Sequence, residues 1–298
     1  MKPLLLDGPM GTQLGALGHT LTAPLWSANA LLDAPDAVLE LHRAYADAGA
    51  DVHTANSFRC QPGRHPEWHS LIDLSVQLAR EAAFEDSLVA GSIAPLEDCY
   101  RPDLSPVDAL GTHREIAQAL VNAGADLLLC ETFPHTREAL QAVEAATETG
   151  CETWLMLTAG PFGGLMEPLT LIRCAEEAIA MGASMVGINC TSVAQLDPFL
   201  DVLKASGLPF GVSANAGSPE EGLGWDSPAA QAASAYSEHA RRWVDAGARV
   251  IGSCCGTTEV RIITHFKRSS WVVLSPFAMP SLKTYTAAAI AKRNRIPR

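Results

Sequence analysis

The chain has 298 residues, 48% of them hydrophobic and only 18% charged, with a formal charge of −12. Such a composition buries a sizeable core and carries no signature of disorder, and the acidic balance excludes nucleic acid and anionic membranes as general partners. The opening Met1-Lys2-Pro3-Leu4-Leu5-Leu6-Asp7 holds too short an apolar run for a signal peptide, and no stretch reaches membrane-spanning length. A cytoplasmic location is therefore expected, where the eight cysteines serve as ligands, nucleophiles or core residues rather than disulfides.

Short apolar runs mark strands at 3–7, 50–57, 88–93, 125–131, 153–158, 185–189, 210–214 and 249–252. Their hydrophobicity is continuous rather than alternating, the pattern of parallel strands covered on both faces. Longer amphipathic stretches lie between them, such as 35–48 and 227–246, and open near a proline that a first helical turn tolerates. Four helix-to-strand joints repeat one turn: Asp47-Ala48-Gly49-Ala50-Asp51, Asn122-Ala123-Gly124-Ala125-Asp126, Ala180-Met181-Gly182-Ala183-Ser184 and Asp245-Ala246-Gly247-Ala248-Arg249. Glycine fits there because a helix C-cap often needs a left-handed residue. Eight such units predict α/β architecture, a single-domain (β/α)8 TIM barrel over residues 1–258. A doubly wound open sheet is the alternative, but it does not account for polar residues at nearly every strand end. Residues 259–298 read as a terminal helix and an atypical basic tail, with eight Lys or Arg and one acidic residue.

Asp7, Asn56, Ser92, Glu131, Thr158, Asn189, Cys190, Asn215, Cys254 and Cys255 fall at or just past the ends of the predicted strands. In a barrel that is the catalytic face. Cys190 closes Met185-Val186-Gly187-Ile188-Asn189, and Cys254-Cys255 closes Val250-Ile251-Gly252-Ser253. Adjacent residues of a regular strand point to opposite faces. The cysteine pair can therefore share one metal only if the chain leaves strand geometry, and Gly256-Thr257-Thr258 supplies such a departure. Three thiolates with one position open are the donor set of a catalytic zinc site, and sulfur favours a soft metal over magnesium or calcium. The structural alternative is three buried thiols beside turns. Cys60, Cys99, Cys130, Cys151 and Cys174 read as small buried or loop residues. The nine histidines show no metal spacing, His53 reads as a satisfied structural histidine, and Trp154 reads as core. Gly160-Pro161-Phe162-Gly163-Gly164 is a flexible loop at the catalytic face, a lid or a plain turn.

Taken in order, the motifs are Asp7-Gly8-Pro9-Met10-Gly11-Thr12, Leu25-Trp26-Ser27-Ala28, Ala48-Gly49-Ala50-Asp51, Thr54-Ala55-Asn56-Ser57-Phe58, Gly91-Ser92-Ile93-Ala94-Pro95, Glu131-Thr132-Phe133, Gly187-Ile188-Asn189-Cys190, Asn215-Ala216-Gly217 and Gly252-Ser253-Cys254-Cys255-Gly256-Thr257. In order and spacing they resemble the homocysteine S-methyltransferase family over residues 4–258. Ser253 stands where that family commonly has a second glycine. The resemblance implies Zn2+ held by Cys190, Cys254 and Cys255, with homocysteine adding its sulfur and methionine as the product; a selenol is a related acceptor. It also implies that Asp7 and Glu131 meet the substrate's amino end, that Gly8 allows close backbone approach, and that Asn189 and Asn215 orient substrate or loops. Trp26 is the implied wall for a methylated cation, which binds favourably over an indole face. Among donors used by such enzymes, the folate route needs domains that a chain of this length lacks. S-methylmethionine is favoured, S-adenosylmethionine is the other sulfonium, and betaine is the alternative. Arg59, directly after Phe58, sits awkwardly beside a cationic donor. The rival from another class is a noncatalytic zinc- or thiol-sensing barrel. A structural zinc site normally has four protein ligands, and no fourth Cys or His lies beside either cluster in sequence.

Overall fold

The computed structural model describes residues 2–216 and 229–257. In chain order its elements are β1 (Leu4–Leu5), α1 (Met10–Ala16), α2 (Asn29–Asp33), α3 (Pro35–Ala48), β2 (Val52–Thr54), α4 (Trp68–Ala82), β3 (Leu88–Ile93), α5 (Leu110–Asn122), β4 (Leu127–Phe133), α6 (Thr136–Thr147), β5 (Glu152–Leu157), α7 (Pro168–Ala180), β6 (Met185–Ser192), α8 (Asp197–Ser206), β7 (Phe210–Asn215), α9 (Ala229–Asp245) and β8 (Val250–Ser253). All eight predicted strands are present, every neighbouring pair is parallel, and β1 lies beside β8. A parallel bridge between Leu6 and Val52 brings β1 to β2 and joins the sheet into a ring. The fold is the (β/α)8 barrel. No helix of the described residues is long and apolar enough to cross a membrane.

The turn glycines behave as the repeated motif predicts. Gly49, Gly124, Gly182 and Gly247 take φ of 99°, 95°, 110° and 109°, a conformation that a Cβ would oppose. Inside the ring Leu6, Val52, Ala90, Leu127, Leu129, Trp154, Met156, Met185 and Val250 pack together, so Trp154 is core as read. A larger apolar layer lies between strands and helices. Gly187 in β6 permits the tightest approach, because a Cβ there would run into the Gly211 carbonyl of β7 and lie 2.6 Å from the Met156 sulfur.

β4 and β6 run past their predicted ends. Each carries a register irregularity there, between Glu131 and Phe133 in β4 and between Asn189 and Ser192 in β6. Such bulges re-aim side chains, and both lie at residues singled out for the site. The predicted 259–298 tail lies outside the described residues, as does the start of the 227–246 helix.

Candidate active site

Three sulfurs meet where β6 and β8 end. The Sγ atoms of Cys190, Cys254 and Cys255 all lie within 4.8 Å of one another. Cys190 adopts φ 49° within the β6 bulge, a left-handed conformation that costs a non-glycine residue about 1–3 kcal/mol and persists only where its surroundings hold it. Here they do. Asn215 Nδ2 and Thr158 Oγ1 donate to the Cys190 carbonyl at 2.9 and 3.2 Å, and the Thr132 hydroxyl donates to its sulfur at 3.5 Å.

β8 stops at Ser253, and the next residues form the predicted turn. Cys254 N donates to Ala214 O, Thr257 N and Oγ1 both donate to Cys254 O, Gly256 N donates to Thr12 Oγ1, and Gly256 takes φ 76°. This departure from strand geometry turns both adjacent thiols toward Cys190. Ser253 lines the cavity, and its buried hydroxyl has no hydrogen-bond partner among the described residues.

The thiols perturb one another. Hydrogen bonds to Cys254 and Cys255, followed by burial, push Cys190 well up. Hydrogen bonds from Cys190 and Cys254 pull Cys255 well down, so one thiolate is stabilised by its two neighbours. Zinc with sulfur ligands at about 2.3 Å needs sulfurs roughly 3.8 Å apart in a tetrahedron, which this group meets with small side-chain adjustment. Among the described residues no fourth Cys or His joins the group. The residues fit a soft metal with one position left open.

Beside the sulfurs lie two carboxyls. Burial raises Asp7 to about 8, against hydrogen bonds from Thr54 that lower it, and the nearby Glu131 charge raises it further. Burial likewise raises Glu131 to about 7 although Ser92 Oγ and Asn189 Nδ2 donate to it, at 2.5 and 3.1 Å. No Lys or Arg among the described residues forms an ion pair with either carboxylate. Asp7 is buried and Glu131 half-buried, and carboxyls so placed without a cation are costly, a cost that a bound ammonium would relieve.

Asn189 clasps the two bulges. Its Oδ1 accepts from Thr132 N at 3.0 Å, while Nδ2 donates to Thr132 Oγ1 and Glu131. Thr132 itself sits at φ 62°. Asn189 and Asn215, which the resemblance implies orient substrate or loops, are not among the lining residues of the cavity; they hold Glu131 and Cys190 from behind.

The cavity, of 530 Å3, is lined on its inner side by Asp7, Gly8, Glu131 and the three cysteines. Trp26 and Phe58 form a wall, their rings 6.0 Å apart and edge-on. Trp26 takes φ 50°. Its loop is fixed by Asn56, which accepts from Ser27 Oγ at 2.7 Å and donates to Ser27 O at 3.0 Å. Gly11 makes room for the indole, since a Cβ there would strike it.

His53 departs from its reading as satisfied. It and His42 of α3 are buried, and neither ring's nitrogens have a hydrogen-bond partner among the described residues. Burial lowers His42 to about 3 and His53 to about 4. Both stand behind Asp7, with His42 Nδ1 3.8 Å from its Oδ2.

The profile of the family described as homocysteine S-methyltransferase matches residues 4–265. The chain belongs to this family. The homocysteine S-methyltransferase YbgG of Bacillus subtilis is 32% identical over 87% of this chain and 92% of its own length. A Pongo abelii relative named S-methylmethionine–homocysteine S-methyltransferase BHMT2 is 30% identical over 84% of this chain and 74% of its own. In structure, the metallated form of the homocysteine methyltransferase MmuM from Escherichia coli superposes with a TM-score of 0.74 at 30% identity. It covers 90% of this chain and 96% of that one.

Several cavity residues escaped the sequence reading, Cys99, Tyr100, Arg64, Glu97 and Asp98 among them. Cys99 and Tyr100 sit on the loop after β3 and face the sulfurs, and Arg64 joins Arg59 on the outer side. Cys99 reads as an isolated loop cysteine because nothing local distinguishes it. The length of the β3–α5 connection at the catalytic face was the available signal, since long barrel loops there carry function.

Proposed function

We propose that the chain transfers a methyl group from a small sulfonium donor, with S-methylmethionine as that donor, to homocysteine, giving methionine. Cys190, Cys254 and Cys255 would hold Zn2+. Bound there, zinc supplies a place where a thiol of ordinary pKa about 8.5 sheds its proton yet stays nucleophilic. The observation that carries this reading is the convergence, in one cavity, of three thiols and two carboxyls that pair with no Lys or Arg of the described residues, beneath an aromatic wall.

The residues divide the work by charge. Asp7 and Glu131 receive the homocysteine ammonium, which places its sulfur on the side of the three cysteines. Gly8 lines the cavity, and the absence of a Cβ lets its backbone pack against the Tyr45 ring of α3. Trp26 and Phe58 hold the donor's cationic end, an interaction worth about 0.5–2 kcal/mol that favours sulfonium over neutral thioether. Displacement forms a sulfur–carbon bond to the acceptor and breaks the donor's. The leaving sulfur keeps the electron pair and becomes neutral, so the product loses its attraction to the wall. With S-methylmethionine both products are methionine. The long homocysteine-side carboxylates stay fixed throughout, Glu131 through Ser92 and Asn189 and Asp7 through Thr54 N at 2.9 Å.

The Escherichia coli relative MmuM has a metallated form, and the BHMT2 relative is named for S-methylmethionine as donor; both support this assignment. The test is methionine formation by zinc-loaded protein with S-methylmethionine, S-adenosylmethionine and betaine in parallel. S-methylmethionine should give the highest kcat/KM. Stoichiometric zinc with no turnover on any donor would overturn the reading in favour of a sensing role.

A further inference from the structure

Arg59 lines the cavity directly beyond the aromatic wall, its guanidinium carbon 5.0 Å from the centre of the Phe58 ring. It is held in place by backbone rather than by charge: Nη1 donates to Pro95 O at 3.2 Å and to Glu97 O at 2.9 Å. Arginine carries five N–H donors in a planar fork, so Nε and Nη2 remain. They make no hydrogen bond and no ion pair with the described residues. The neighbouring carboxylates of Glu97 and Asp98 attract Arg59 through space without hydrogen-bonding it. Glu97 pairs with Arg64 at 3.1 Å, and Asp98 accepts from Tyr100 N at 2.9 Å. Arg64, the other cation on this cavity, is thus paired and also donates to Leu96 O. Arg59 is partly buried, charged and preorganised, and the edge carrying Nε and Nη2 is unclaimed among the described residues.

The charge layout explains what that edge is for. The inner end holds two carboxyls and three thiols, and the outer end holds Arg59 together with Arg64, Glu97 and Asp98. Cys99 lines the cavity between the sulfurs and the guanidinium. A lone sulfonium finds no partner in the Arg59 fork. An amino-acid sulfonium does, because a three-carbon chain separates its sulfur from a carboxylate. With the sulfonium against Trp26 and Phe58, 6.0 Å apart, the carboxylate reaches past Phe58 toward Arg59.

We propose that Arg59 is the anchor for the methyl donor's carboxylate, and that it restricts the donor to small carboxylate-bearing cations. The proposal rests on the sulfonium-donor reading above. It also resolves the conflict between an arginine and a cationic donor: the two ends of one zwitterion are bound separately. A pinned planar fork suits bidentate carboxylate recognition better than a lysine does.

The experiment compares S-methylmethionine with its carboxamide, which keeps sulfonium and ammonium and loses only the anion. Binding to zinc-loaded full-length protein is measured by calorimetry, and transfer to homocysteine by product formation. Wild type should prefer the acid by about tenfold or more, the scale of a charge-assisted hydrogen bond. Arg59→Gln should weaken the acid by that factor, leave the amide and the homocysteine KM unchanged, and so abolish the preference; Arg59→Lys should restore part of it. A preference that survives in Arg59→Gln, equal losses on both donors, or a loss that falls on homocysteine would each overturn the anchor. Should Arg59→Gln fail to fold, the wild-type comparison still decides, since a wild type indifferent to the carboxylate refutes the proposal. Carboxylate-dependent binding without transfer would refute the methyltransfer reading and leave the anchor standing; transfer without carboxylate dependence would do the reverse.

Discussion

Replacing Asp7 with asparagine should change how homocysteine binding depends on pH. In the free protein Asp7 is buried and raised to about 8, so below that pH it holds a proton that an incoming ammonium must displace. Each unit below 8 costs about 1.4 kcal/mol, or tenfold in affinity. Wild-type affinity should therefore rise from pH 6 to pH 8 through this group and level off above. The substrate thiol and Glu131 also titrate in this range, but they do so in both proteins. The difference between the two log Kd profiles reports the Asp7 carboxyl together with its coupling to Glu131. The wild-type slope should be steeper by about one unit between pH 6 and 7.5. At pH 8.5 wild type should bind tighter by about 2–3 kcal/mol, the worth of a charged hydrogen bond, and the two curves should converge toward pH 6. Calorimetric titration across this range on zinc-loaded protein gives both profiles. Parallel profiles would refute the assignment of Asp7 as the group that loses its proton to the ammonium.

Asn189→Ala should lower stability by about 2–4 kcal/mol, because three hydrogen bonds across two bulges are lost and Thr132 N is left buried without its acceptor. Urea unfolding measures this, and the homocysteine KM should rise more than the donor KM; equal rises would place Asn189 outside the Glu131 support. His42→Leu should alter acid stability. Native His42 stays neutral down to about pH 3, whereas the unfolded chain protonates it below about 6.5. Wild type should thus lose about 1.4 kcal/mol per pH unit relative to the variant from pH 6.5 toward 4, and a constant difference across that range would show that His42 charges in the folded state.

The barrel is legible in the sequence because its signals are local. Continuous apolar runs mark buried parallel strands, and glycine at positions 49, 124, 182 and 247 marks four of the turns that need a left-handed residue. The three cysteines are legible for a related reason: each ends a strand, and a barrel puts all strand ends on one face. What the sequence hides depends on pairs of elements. Arg59 is pinned by carbonyls of Pro95 and Glu97 across a loop. His42 and His53 read as ordinary residues of a helix and a strand until packing brings them together behind Asp7. The resemblance implies that Asn189 orients substrate or loops; only the bulges in β4 and β6 show that its amide holds Glu131 and Thr132.

The central claim is that the three-cysteine site leaves one position for the substrate's sulfur. X-ray absorption at the zinc edge counts sulfur neighbours directly. Zinc-loaded wild type should show three sulfurs at about 2.3 Å, rising to four when homocysteine is added and remaining at three with methionine. A count that stays at three with homocysteine, or that is already four without it, would contradict the account.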